Sequence, residues 1–154
     1  MGRNRSTRFK KTLIIRRYAM IKSIEWNESL LIGITEIDND HKNWIGYYND
    51  FFAACLSSMG PAVVNATLIK LVEYTKYHFQ HEEELMEKEG YPGLAEQKNE
   101  HERLLRTTLE LQEKVASGSS NSVSNDTLVF LNNWLVTHLM GLDAAFAKFV
   151  HEPR

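Results

Sequence analysis

The chain has 154 residues, 43% of them hydrophobic, which suits a single domain with its own core. Its formal charge of −2 is uneven: residues 1–19 hold seven of the eighteen basic residues and none of the twenty acids, leaving −9 on the rest. An acidic body argues against nucleic acid or anionic lipid as a partner, and the lone Cys55 excludes an internal disulfide and a Cys-rich zinc site.

Residues 1–19 read as a basic, disordered arm, with the domain running over 20–154 and Met20 as a candidate start. Thr12-Leu13-Ile14-Ile15 is too short for the apolar core of a signal peptide, and Arg16-Arg17 interrupts it. No apolar run approaches the roughly 18 residues that span a bilayer, so no membrane association is expected. A lone cysteine fits a reducing, cytoplasmic setting.

Residues 21–37 keep no helical period and read as an extended arm laid across the body. Asp38 then offers an N-cap, and His41, Trp44, Ile45, Tyr48, Phe51, Phe52 and Cys55 recur at helical spacing. Gly60-Pro61 closes that first helix and opens a second, roughly 61–88, which ends before Gly90-Tyr91-Pro92-Gly93. A third spans roughly 93–116, with Leu94, Gln97, His101, Leu104, Thr108, Leu111 and Val115 on one stripe. Thr108 can turn its methyl inward while its hydroxyl bonds a carbonyl one turn back. After a Ser/Gly/Asn loop, a fourth runs roughly 125–150 through Leu128, Leu131, Leu135, His138, Leu142, Phe146 and Val150. The pattern predicts an all-α, antiparallel up-down four-helix bundle with an extended N-terminal arm.

The chemistry lies on the inward faces. On the second helix the stripe reads Val64, Leu68, Leu71, Thr75, His78, Glu82, Leu85, so a histidine and a carboxylate stand where leucines belong. Burying them costs several kcal/mol unless they pair or bind a metal. Each predicted helix carries one such histidine: His41, His78, His101 and His138. Any one alone is more often a hydrogen-bonded core residue, but four beside Glu82 suggest a metal site. Imidazoles with carboxylates suit iron, manganese or zinc, and a carboxylate can bridge two ions. A haem held by two histidines would leave Glu82 unexplained.

Asp143 follows His138 by five residues, about 140° away on an ideal helix. Spacing alone favours a solvated Asp143; a wide turn would be needed to bring it inward. His81 is within reach of the inner face, Glu83 and Glu84 read as a solvated acidic face, and His151 is set aside at the terminus.

These residues stand in an ordered series of motifs. Trp26-Asn27-Glu28-Ser29 leads to Gly33-Ile34 and Ile37-Asp38-Asn39-Asp40-His41. His78-Phe79-Gln80-His81-Glu82-Glu83, Tyr91-Pro92, Lys98-Asn99-Glu100-His101 and His138-Leu139-Met140-Gly141-Leu142-Asp143 follow. Over about 22–150 the chain resembles the hemerythrin family, in particular its single-domain bacterial members. The resemblance implies two non-haem iron ions with a bridging oxo or hydroxo group, binding O2 reversibly for carriage, storage or delivery. It implies Glu82 and Asp143 as bridging carboxylates, His41 and His78 on the iron with an open position, and His101 and His138 on the other. The family's third histidine for that second iron would stand at 97, where this chain has Gln97. The amide could ligate weakly, hold a water, or leave a position open, so a less tightly held second iron or a changed potential is expected. Trp44, Trp134, Leu135 and Leu139 are suited to line a dry ligand pocket, and ordinary core packing is compatible with that role.

The same donors would also suit a di-iron enzyme reducing O2, peroxide or nitric oxide, or an O2 or iron sensor. A monomer is expected, since no apolar stripe is left over once the bundle forms, with an O2-consuming enzyme as a conceivable partner.

Overall fold

The computed structural model describes residues 21–57, 59–118 and 121–153. The expected basic arm at 1–19 lies outside them. Four helical rods form an antiparallel bundle: α1 (Thr35–Leu56), α2 (Pro61–Glu89), α3 (Leu94–Ala116) and a fourth rod in two pieces. That last rod is α4 (Asn121–His138), a single π turn over Leu139–Asp143, and α5 (Ala144–His151). Among the described residues no helix is long and apolar enough to cross a membrane.

Local chemistry sets the corners. Pro61 opens α2, where its missing N–H costs nothing, and Gly90 ends it in the left-handed region at φ 66°. The first helix begins three residues before the expected cap. Asp38 sits inside its first turn and reaches backward, accepting from the backbone N–H groups of Ile32 (2.8 Å) and Gly33 (3.1 Å). The carboxylate thus ties down the incoming strand of chain rather than capping the helix. Gly33, at φ 89°, supplies the turn that makes this possible.

The arm before α1 packs as expected, with one 3-10 turn at Glu28–Leu30. The Asn49 amide pairs with both backbone groups of Ile24 at 2.9 Å, acting as a strand partner for a segment with no sheet to join. His151, set aside in the sequence, donates to the Gly33 carbonyl at 3.0 Å and fastens the end of the last helix to this arm.

Trp44, Tyr48, Phe51, Leu68, Leu71, Leu128, Leu131 and Leu139 form the floor of the core, each with at most 1% of its surface exposed. Burying such side chains stabilises the fold by about 1.5–3 kcal/mol apiece. Thr108 behaves as predicted, its hydroxyl bonding the Leu104 carbonyl at 2.8 Å. The apolar floor occupies one end of the bundle, and Ile37, Met86 and Phe146, at most 1% exposed, close the other. Between them the inward positions turn polar.

Candidate metal centre

Seven polar side chains converge there: His41 from α1, His78 and Glu82 from α2, Gln97 and His101 from α3, His138 from α4, and Asp143 from the π turn. All are at least 95% buried. Helical spacing of four carries two of the pairs, His78 with Glu82 and Gln97 with His101. His138 and Asp143 are brought together differently. The π turn absorbs one extra residue, so the five-residue step closes on one face, and Asp143 Oδ1 lies 3.0 Å from His138 Nε2. Asp143 is fully buried, and the solvated reading of it is overturned.

The two carboxylates each face two ways. Glu82 Oε2 lies 3.2 Å from His101 Nε2 and 3.9 Å from His138 Nε2, while Oε1 has no hydrogen-bond partner among the described residues. Asp143 Oδ1 faces His138, and Oδ2 lies 3.1 Å from His41 Nε2 without the geometry of a hydrogen bond. The donor atoms accordingly fall into two groups able to hold a metal ion: His41, His78, Glu82 and Asp143; and Glu82, His101 and His138. Both carboxylates thus stand between the two histidine pairs.

The second group satisfies a stricter test. Donors about 2.1 Å from an octahedral ion stand about 3.0 Å from their neighbours and about 4.2 Å across. The terminal Gln97 atom lies 3.1 Å from Glu82 Oε2, 3.3 Å from His101 Nε2, 3.2 Å from His138 Nε2 and 2.8 Å from Asp143 Oδ1. His101 and His138 are 3.1 Å apart, and the longer 3.9 Å separation joins His138 to Glu82. Such separations would suit donors gathered around one ion, with Gln97 beside all four of the others. The atom is the amide Nε2, whose two hydrogens serve four polar atoms, while Oε1 has no partner among the described residues. The two carboxylates draw the NH2 inward; a cation would turn the amide over and bring in the oxygen. The residues fit a metal.

Their electrostatics point the same way. Burial, and for Glu82 the neighbouring charge of Asp143, work to raise both carboxyls, yet their histidine contacts hold both below the usual range. Burial opposes a charge on His138, but Asp143 and Glu82 raise it to about 10. A proton there does the neutralising work that a metal ion would do.

Around the donors stand residues the sequence reading missed or misplaced. Glu83 is not a solvated surface acid: its Oε1 accepts from His101 Nδ1 at 2.7 Å, which fixes the tautomer and frees Nε2 toward the centre. Asp40, buried beside His41, accepts from His81 Nδ1 at 2.6 Å and stands 3.5 Å from His78 Nδ1. Burial tends to raise Asp40, but hydrogen bonds from His78 and His81 lower it. His81 therefore supports the centre from the α1–α2 seam and does not enter it. Glu84 is exposed, as expected.

The apolar lining is aromatic. Phe79 stacks on His101 at 3.8 Å and 3°. Trp134 lies 5.5 Å from His138 and 5.1 Å from Trp44, whose indole donates to Thr75 Oγ1 at 2.9 Å. Leu135 and Leu139 are buried in the same core. Phe79 was not read as part of the lining, although it directly follows a histidine on an inward stripe; Thr75 was placed on that stripe, without its Trp44 partner.

Comparison with known proteins agrees with this geometry. Residues 32–150 match the model of the hemerythrin HHE cation binding domain. The bacteriohemerythrin of Stenotrophomonas maltophilia (strain R551-3) is 36% identical over 125 residues, 81% of this chain and 80% of that one. The myohemerythrin of Theromyzon tessulatum is 29% identical over 119 residues, covering 77% and 87%. A crystal structure of wild-type hemerythrin superposes with a TM-score of 0.76 at 26% identity, covering 85% of this chain and all of that one. The chain belongs to the hemerythrin family, whose members are generally non-haem iron proteins that bind O2.

Proposed function

We propose that the chain holds two non-haem iron ions and binds O2 reversibly. The observation that carries this reading is the placement of Asp143, with one oxygen toward His41 and the other toward His138, and of Glu82, which belongs to the donor group of either histidine pair. His41 and His78 would hold one ion, His101, His138 and the Gln97 amide oxygen the other, and the two carboxylates would span them. The first position has one side-chain donor fewer, which leaves room for an exogenous ligand.

Two ferrous ions together supply the two electrons that O2 takes up on binding and returns on release. The protein's part is to keep water and protons from the reduced ligand. Phe79, Trp44, Trp134, Leu135 and Leu139 close an apolar shell around the donors. Asp40 and Glu83 hold His78 and His101 from behind, so the imidazoles keep their lone pairs on the centre.

The test is anaerobic loading with ferrous salt, iron quantification, and optical titration on cycling between O2 and argon. Two irons per chain and an absorption band that comes and goes with O2 support carriage. Rapid turnover without a stable O2-dependent band replaces it with catalysis, and protein that keeps no stoichiometric iron removes it altogether.

A further inference from the structure

From the buried centre a row of oxidisable side chains leads out along the α1–α2 seam. Tyr77 is 54% exposed. Its ring centre lies 5.5 Å from Tyr74 and 5.7 Å from His81, and Tyr47 flanks Tyr74 at 5.0 Å. The Tyr74 hydroxyl donates to Asp40 Oδ1 at 3.3 Å. Asp40 Oδ2 takes His81 at 2.6 Å and faces His78 Nδ1 at 3.5 Å. His78 in turn packs edge-on against His41 at 4.9 Å. Every step from the surface to the donor cluster is shorter than 6 Å.

A phenol gives up an electron readily only if a base takes its proton in the same event. Tyr74 has that base in Asp40, and the same carboxylate touches a histidine of the centre. Two histidine donors would already satisfy a buried aspartate. The tyrosine on its other oxygen, with a second and exposed tyrosine behind it, provides a route for electrons that packing does not require.

We propose that Tyr77 and Tyr74 carry electrons from small phenols at the surface to the centre, giving the protein a peroxidase activity. The proposal rests on the metal reading above. One hydrogen peroxide takes two electrons and two protons, its O–O bond breaks, and two waters form. Two phenols each lose one electron and the O–H proton and leave as phenoxyl radicals. Within the protein, Tyr74 sends its electron through Asp40 and His78 and its proton to Asp40 Oδ1. Tyr77 refills Tyr74 as that proton returns, and an external phenol refills Tyr77. Solvent takes the phenol's protons and supplies those that peroxide consumes.

The experiment uses the full chain loaded with iron and then oxidised in air, so that no ferrous electrons are left for peroxide, with the iron content of every variant measured first. Limiting hydrogen peroxide is added, and protein radicals are read by electron paramagnetic resonance, with and without guaiacol as the phenol. The parent should show a tyrosyl signal and dityrosine-linked dimers formed through exposed Tyr77. At equal iron, Tyr74→Phe should lower radical yield and guaiacol oxidation about tenfold or more. Tyr77→Phe should abolish the dimers and slow guaiacol oxidation while a radical persists on Tyr74. Tyr91→Phe, away from the row, should match the parent. A Tyr74→Phe variant with full iron and an undiminished radical overturns the route alone; a parent that holds no iron overturns both the route and the metal reading.

Discussion

Glu83 Oε1 and His101 Nδ1 are joined by a 2.7 Å hydrogen bond between a residue that looks like surface charge and one buried in the donor cluster. The acid stands one residue after Glu82, so neighbouring side chains of α2 serve the centre and its support. Removing such a partner from a metal-bound histidine typically costs about 10–100-fold in affinity. Glu83→Gln should therefore release iron to a chelator faster than the parent, and Glu83→Asp should recover part of the loss. Identical release from the parent and Glu83→Gln would show that the hydrogen bond does not act on the centre.

Gln97→His should tighten the second ion. An imidazole nitrogen is a better donor to iron than a neutral amide oxygen, and position 97 already stands beside the other four donors. Parent protein dialysed against a graded chelator should lose about half its iron before the rest, whereas the variant should hold both ions to higher chelator concentration. Equal loss curves and equal reduction potentials would assign Gln97 no role at the metal.

Trp44 has no exposed surface and donates its indole N–H to Thr75. Trp44→Ala should lower unfolding free energy by about 3–5 kcal/mol through the cavity it leaves. Trp44→Phe keeps most of the volume and should lose about 1 kcal/mol with the hydrogen bond. Both should shorten the lifetime of the O2-bound form by admitting water, Ala more than Phe. Thermal denaturation and the decay of the O2-dependent absorption band measure the two effects separately.

The pH response should change sign with metal. In stripped protein, burial opposes protonation of His138, but Asp143 and Glu82 lift it to about 10. A raised histidine contributes stability that is complete below its unfolded value near 6.5 and is lost as pH climbs through about 10. Melting temperature of the stripped protein should thus fall between pH 6.5 and 10. Iron retention should rise over the lower part of that range, because proton and metal compete for the same nitrogen. A melting temperature flat across the interval would contradict the assignment of the proton to His138.

The order and direction of the four rods were legible in the sequence because 3.6-residue periodicity survives wherever leucines and histidines share a stripe. His41, His78, Glu82, Gln97 and His101 could be placed inward on the same evidence. Asp143 could not: a regular helix points it about 140° from His138, and nothing local announces a π turn. Only the family pattern supplied its role. Glu83 was misread because the acids after Glu82 look alike until α3 is packed alongside. Asp38 was misread as a cap because the turn at Gly33, which gives its carboxylate other work, lies upstream of the helix.

The π turn ties two properties of the last rod together. If the same residues wound as an unbroken α-helix, everything beyond the turn would swing by about 100°. Phe146 and Ala147, both now buried, would rotate toward water, and His151 would be carried away from Gly33. The winding that aims the aspartate inward thus also seats the C-terminal turns and the clasp on the incoming arm. The hydrophobic interior therefore holds the backbone irregularity in place even in protein stripped of its metal.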